Sequence, residues 1–236
     1  MRRSSTICCL GLISVACVTS HLAIPADQRS ELETQLLRPG QSKYLRLSFY
    51  VTPFFEDGSK LLLSPYPSKD VRLVNRPNGD PLLPGEQQKI IPVGTRARLL
   101  RIEFPTSWAL VARIIYTPRD RPWLYLEIQG ETTQLPFVIV LRSNLSSKEA
   151  FLDEVERYLT DDDPASALSK WSPAVQDGVR AKQALRGMTS SALEMAWGYP
   201  DLKKAAYQGS VRFELWEYVR RKASFVDGRL DSFEGP

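Results

Sequence analysis

From Tyr44 the chain alternates. Leu45, Leu47, Phe49 and Val51 are apolar and Arg46, Ser48 and Tyr50 are polar, the period of two that predicts a half-buried strand. Further runs of strand length are Lys60–Leu63, Val71–Val74, Thr95–Phe104, Leu110–Tyr116, Trp123–Ile128 and Phe137–Leu141. Turn formers such as Asp57-Gly58, Asn78-Gly79, Pro84-Gly85 and Pro118-Arg119-Asp120 separate them. That spacing predicts an all-β domain over 44–145, a small antiparallel barrel or a sandwich. The stretch from Asn75 to Pro92 reads as a broad loop or an insertion. The period then lengthens: Ser146 and Glu149 form a capping box, and Phe151, Leu152, Val155, Tyr158 and Leu159 make a helical stripe. Asp161-Asp162-Asp163-Pro164 ends that helix, so 146–171 is a helix with a linker.

A second module is expected over 172–236. Ser172 caps a helix whose first residue is Pro173, with Val175, Val179, Ala184 and Leu185 on its apolar face. Gly187 ends it, and Thr189 caps the next helix. Ala192, Leu193, Met195, Ala196 and Trp197 fill that helix before Gly198 and Pro200 stop it. Strands are predicted at Val211–Arg220, Lys222–Val226 and Arg229–Phe233, with Asp227-Gly228 as a two-residue hairpin turn. Trp216 and Tyr218 share a strand face and are expected in the core with Trp197.

The first residues break this amphipathic pattern. Arg2 and Arg3 precede an apolar run from Ile7 to Cys17 and then small residues, which is the layout of an export signal over 1–20. The run is too short to span a bilayer, which needs about 20 apolar residues. Two cuts are open. Ser14-Val15-Ala16-Cys17 resembles a lipobox, making Cys17 a lipidation site, and Val18-Thr19-Ser20 suits ordinary signal peptidase. All three cysteines, Cys8, Cys9 and Cys17, lie in this segment, so the body has no disulfide to form. Residues 21–43 read as a tether with one or two helical turns over Ser30–Leu37, which lifts the folded body off a membrane if Cys17 is lipidated. The formal charge is +4, and without Arg2 and Arg3 it is about +2, so nothing demands a nucleic acid partner.

Candidate chemistry is sparse. The single histidine, His21, lies at the signal boundary. Without a second histidine or a body cysteine, zinc sites and the usual nucleophile–base pairs cannot be assembled. No serine-x-x-lysine, glycine-x-serine-x-glycine or phosphate-loop motif occurs. Asp161, Asp162 and Asp163 lack the spaced oxygens of a calcium loop and read as a solvated helix exit. The expectation is a protein that is not an enzyme and holds neither cofactor nor metal. Two kinds of binding residue stand out: the basic run Arg220, Arg221, Lys222, and the pair Phe54, Phe55, which cannot both face inward if their strand continues. Arg96, Arg98 and Arg101 form another basic cluster, read equally well as charges that blunt a strand edge.

Gly187-Met188-Thr189, Trp197-Gly198-Tyr199-Pro200, Trp216-Glu217-Tyr218 and Phe225-Val226-Asp227-Gly228-Arg229-Leu230 occur in order. Together they resemble the SmpA/OmlA (BamE-like) lipoprotein family over about 175–233. The resemblance implies an α+β chain whose C-terminal module lays two helices on a three-stranded antiparallel sheet, with Gly187, Thr189, Gly198, Pro200, Trp216 and Tyr218 as structural landmarks. It also implies a non-catalytic lipoprotein on the periplasmic face of the outer membrane, held by its N-terminal lipid. Such a protein would bind an envelope protein complex, with the barrel-assembly machinery as the example. The chain departs from the family in placing the module behind a β domain. The alternative is a periplasmic or surface binding module that recognises cell-wall glycan or an enzyme.

Overall fold

Period-two runs and short helical stripes place the elements, and the computed structural model describes them over residues 24–235. Helix α1 (Ala26–Leu36) precedes β1 (Lys43–Leu45), β2 (Phe49–Phe54) and β3 (Asp57–Ser64). A 3-10 turn over Ser68–Asp70 leads to the small hairpin β4 (Val74–Asn75) and β5 (Pro81–Leu82), then β6 (Lys89–Ile91) and β7 (Arg96–Glu103). Next come α2 (Ser107–Ala112), β8 (Trp123–Ile128), β9 (Phe137–Val140), α3 (Lys148–Glu156), β10 (Leu159–Thr160) and α4 (Ala165–Leu168). The C-terminal part holds α5 (Pro173–Arg180), α6 (Ser190–Trp197), β11 (Leu202–Gln208), β12 (Val211–Glu217), β13 (Lys222–Val226) and β14 (Arg229–Glu234).

The chain is α+β. Its large sheet runs β10-β1-β7-β8-β9-β3-β2-β6 and is mixed, because β3 and β9 pair in parallel while the other ladders are antiparallel. The sheet must roll. Leu45 and Phe49 are separated by a chain reach of about 14 Å, yet β1 and β2 stand five places apart in the order, which is about 24 Å in a flat sheet. No ladder joins the outer strands β6 and β10, so the closed antiparallel barrel offered by the sequence pattern is replaced by an open roll. Residues from both ends, Leu45 and Ile91, meet in one core with Leu124, Leu126 and Ile139, so this core is the concave side.

Each strand in the middle of the sheet buries both faces. Leu124 and Leu126 enter the concave core, while Trp123 and Tyr125 pack with Phe54, Leu62 and Val138 on the other face. Helices α1 and α3 cover the concave core with Leu32, Leu36, Phe151 and Val155. Segment 21–43, expected as a tether, therefore carries a packed helix from Ala26. Helix α3 likewise belongs to the first core, and its cap is Ser147, whose hydroxyl accepts the Ala150 N–H, one residue after the predicted Ser146.

Three strand predictions change. The run Tyr44–Val51 splits at Arg46–Ser48 into β1 and β2, which pair with different partners. Val71–Val74 contributes only the first residue of β4, and Leu110–Tyr116 is the end of α2 and the loop after it. In the last case Thr106 caps the helix by accepting the Ala109 N–H, and Arg113 turns inward.

The C-terminal part forms a second core, in which Val179, Met188, Leu193 and Trp197 from the helical side meet Trp216, Ala223, Phe225 and Leu230 from the sheet. That sheet, β11-β12-β13-β14, has four strands rather than the predicted three. Strand β11 is exposed at all seven positions, so no buried face imposed an apolar alternation on it. The Asp227-Gly228 turn has φ of 47° and 73°, the two positive values such a hairpin needs.

Candidate functional site

The predicted landmarks divide between two ends of the C-terminal layer, with Gly187 and Thr189 paired to Leu230 and Arg229 beside the hairpin turn and Gly198 and Tyr218 where the layer meets the rolled sheet. Thr189 accepts the Ala192 N–H at the start of α6. Gly198 ends that helix at φ 84° and ψ −168°, a region essentially reserved for glycine. A Cβ there would stand 2.8 Å from Cβ of Pro65, in the segment after β3. Trp216 and Tyr218 are buried as expected, and the Tyr218 hydroxyl donates to the Gly198 carbonyl at 3.2 Å. Gly187, however, does not end α5, which stops at Arg180; it lies in the following loop, where its N–H bonds to the Leu230 carbonyl.

Residues missed in the sequence hold this junction. Ser48, at the corner between β1 and β2, is fully buried. Its N–H donates to Met195 O at 2.9 Å, and its hydroxyl donates to Val179 O at 2.8 Å and accepts the Val93 N–H at 3.1 Å. Its carbonyl accepts Nζ of Lys182 at 2.7 Å. Lys182 has a left-handed φ of 58° and is buried. It also donates to Ala196 O, and it lies 4.7 Å from the Tyr50 ring centre. Burial, with the Arg221 charge nearby, pushes its pKa well below 10.5. The only sequence signal for this residue was a lysine within a stretch otherwise read as a helix end.

The basic run splits. Arg220 donates through Nε to Oδ1 of Asp70 at 2.6 Å, and Lys222 stays on the surface. Arg221 turns into the core, 3% exposed, with its guanidinium 4.4 Å from the Trp197 ring centre and 5.3 Å from that of Tyr218. Among the described residues its one acidic neighbour within ion-pair distance is Asp70 at 3.9 Å, and its Nε and Nη2 have no hydrogen-bond partner. As a surface contact for a partner, Arg221 is therefore withdrawn. So is Phe54, which is fully buried and stacks edge-on against Trp123 with 4.8 Å between ring centres. Phe55 solves the two-aromatics problem differently from the expectation. The strand ends at Phe54, and a left-handed φ of 52° folds the Phe55 ring back against the same core. Cys17 lies outside the described residues.

Between the two cores opens a cleft of about 410 Å³, lined by Tyr66, Asp70, Arg121, Arg142, Arg157 and Tyr218 among others. Its polar groups are largely committed. Arg142 and Arg157 reach the fully buried carboxylate of Glu154 at 2.6 Å and 3.5 Å. The Tyr66 hydroxyl donates to Tyr199 O at 2.8 Å, and burial pushes its pKa up to about 12. Burial, reinforced by Asp70, raises the carboxyl of Asp201 at the cleft edge. The described residues contain neither histidine nor cysteine, and no cluster among them has the makings of a metal site.

The other accessible feature is the outer face of the C-terminal sheet. Ala206, Phe213 and Val226 stand in one cross-strand row, and Leu202 and Leu215 share that face. Leu202 is 44% and Phe213 39% exposed. Among the described residues strand β11 pairs only with β12 and forms an edge of the sheet. Compared with protein-family models, curated proteins and solved structures, the chain has no match.

Proposed function

We propose that this chain is a non-catalytic envelope lipoprotein, anchored through Cys17 at the periplasmic face of the outer membrane. On this reading its C-terminal layer is a BamE-like module that docks on a protein partner, in a role accessory to envelope or outer-membrane assembly. The observation that carries the reading is the uncovered outer face of the β11–β14 sheet, with Leu202, Phe213 and Leu215 on it and the β11 edge beside it. The face is mixed, since Lys204, Glu217 and Lys222 stand beside these apolar side chains, and apolar side chains within a polar surround, next to a strand edge, are what strand-mediated partners use. The order of helix, helix and antiparallel strands, with Thr189 and Gly198 at the helix ends, supports the family likeness. The fourth strand is a departure from it.

Pull-down from solubilised outer membranes should recover components of an envelope complex. Phe213→Glu should lose them while melting like the parent. Repeated recovery of no envelope protein by the parent chain would refute the docking role. Mass spectrometry of the mature N-terminus tests the anchor separately, since an acylated Cys17 supports it and a free N-terminus at His21 refutes it.

A further inference from the structure

The segment between β7 and β8 carries three of the four most exposed large hydrophobic side chains among the described residues, the fourth being Tyr207. Trp108 is 79% exposed, Val111 75%, Ile115 70% and Ile114 46%. From Phe104 to Pro118 the only charged side chain is Arg113, and it is turned away from solvent, 6% exposed. There it donates to Glu103 Oε1 at 2.6 Å and to the carbonyls of Glu103, Arg119 and Arg121, with its guanidinium 3.9 Å from the Trp123 ring centre. The projection thus has a stiff polar root and an uncharged, apolar crown. Exposure of 70–79% means that these side chains stand out from the surface, not around a hollow, a shape suited to a fluid medium that needs no matching contour.

Two observations say what the medium is. The root ends in half-buried Arg119 and Arg121, whose Nε atoms are buried without an acceptor among the described residues. Arg121 shares the cleft wall with exposed Arg72 and with Arg142, which is already paired with Glu154. A basic rim with Asp120 inside it, and with Arg72 as its outer member, unpaired among the described residues, thus borders the crown. The chain also comes into the fold at the same end. Glu103 at the end of β7 faces Trp123, and Trp123 faces Val140 at the end of β9. Helix α3 then runs from this end back towards β10, and the start of α1 lies beside the start of α3, where the Lys148 N–H bonds to Gln28 and Lys148 Nζ to Glu31. Cys17 precedes Ile24 by a chain reach of about 25 Å at most.

We infer that the Trp108–Ile115 projection inserts into the interfacial layer of a lipid bilayer that carries anionic headgroups, with the arginine rim against the phosphates. Tryptophan favours that layer because its ring is apolar and its N–H is polar. Basic residues beside it add attraction to anionic lipid. The proximity of Cys17 rests on the anchoring reading; the crown and rim do not.

Trp108 is its own reporter, since Trp123, Trp197 and Trp216 are each under 5% exposed and Trp171 is half-buried. The full chain, as the cell processes it, is mixed with phosphatidylethanolamine–phosphatidylglycerol vesicles containing acyl-brominated lipid. The expected result is a blue shift and quenching that vanish in Trp108→Phe. Binding should weaken about tenfold or more in the double variant W108S/I115S, at unchanged melting temperature, and several-fold when phosphatidylcholine replaces the anionic lipid. Quenching of Trp108 in a chain shown to lack an acyl group leaves this inference standing and removes the anchor. A chain held on vesicles by its lipid with Trp108 unshifted overturns the inference and leaves the anchor. Failure to bind either vesicle also overturns it, as does a concentration-dependent Trp108 shift without vesicles, which would assign the crown to a second copy of the chain.

Discussion

Asp70 is the residue whose removal should be felt most at the junction of the two cores. Its side chain is 2% exposed and meets two cations, Arg220 at 2.6 Å and Arg221 at 3.9 Å. The cations are unequal. Arg220 is 40% exposed, so solvent screens its pairing, which contributes about 1 kcal/mol or less. Arg221 is 2% exposed and already has two guanidinium nitrogens without acceptors. Asp70→Ala leaves that charge buried against Trp197 and Tyr218 with no acidic partner in reach among the described residues. Breaking a buried pair from one side costs about 3–5 kcal/mol. In a chain of this size each kcal/mol moves the midpoint by about 2–4 °C, so the variant should melt about 6–20 °C lower.

Three further proteins decide whether the charge is the cause. Arg220→Ala should cost about 1 kcal/mol or less. Arg221→Met removes the buried cation but keeps an unbranched side chain between the rings. The double variant D70A/R221M should therefore regain at least half of what D70A loses, the sign of coupling between neighbours. Urea denaturation followed by tryptophan fluorescence reads all four proteins. The reasoning fails if D70A unfolds within about 1 kcal/mol of the parent, or if the double variant is less stable than D70A alone.

Other outcomes follow from the same structure. Gly198→Ala combines a positive φ with a 2.8 Å approach to Pro65, so it should lose about 1–3 kcal/mol; a thermal midpoint equal to the parent's would contradict the strain. Arg113→Ala leaves half-buried Glu103 with Tyr125 and Arg101 but takes the donor from the carbonyls of Arg119 and Arg121, so it should cost about 1–3 kcal/mol, read by urea denaturation, with faster amide exchange confined to the β7–β8 loop. Burial pushes Glu103 up, but hydrogen bonds from Arg113 and Tyr125 and the charges of Arg113 and Arg101 outweigh it and hold the carboxyl below 4.5. Its contribution is thus present above the unfolded value and lost as pH falls through the folded one, and Glu103→Gln should flatten that acid limb of the stability curve. Lys182 has the opposite character: its folded pKa lies well below 10.5, so the unfolded chain binds the proton more readily and stability rises with pH between the two values. Lys182→Met should abolish that slope, measured as urea midpoint against pH.

What the sequence made legible was local. Trp123–Ile128 reads as a strand because every second residue belongs to one of two cores. Thr189 and Ser172 read as caps because a hydroxyl before a helix has a single geometric use. Leu110–Tyr116 misled because a short apolar run has the same composition whether it is a buried strand or an exposed crown; only the inward turn of Arg113 distinguishes them. Strand β11 escaped because a ribbon exposed on both faces has no period to read. The basic run at 220–222 looked like one surface patch, and the split of Arg221 from its neighbours depends on Asp70, 151 residues earlier, which no local pattern announces.

The junction also bears on whether the C-terminal layer is a bead on a string. Its helices present Met195 and Val179 carbonyls to one residue of the rolled sheet, Ser48, and its buried Lys182 spends its protons on Ser48 and Ala196. Val93, from the corner before β7, belongs to the C-terminal core, and Tyr66 packs against it. Separating the layers would return this row of polar groups to water at little net gain or loss but would also expose the apolar surface that Val93 and Tyr66 share with the C-terminal core, at about 25 cal/mol for each Å². The two cores should therefore unfold in one transition, with tryptophan fluorescence and far-ultraviolet circular dichroism superimposing across urea. On the two proposals above, a partner on the β11–β14 sheet would act on a surface joined through this junction to the roll that carries Trp108, so docking and membrane contact would be set by one body rather than by a flexible linker. Two separated unfolding transitions would break that argument at its first step.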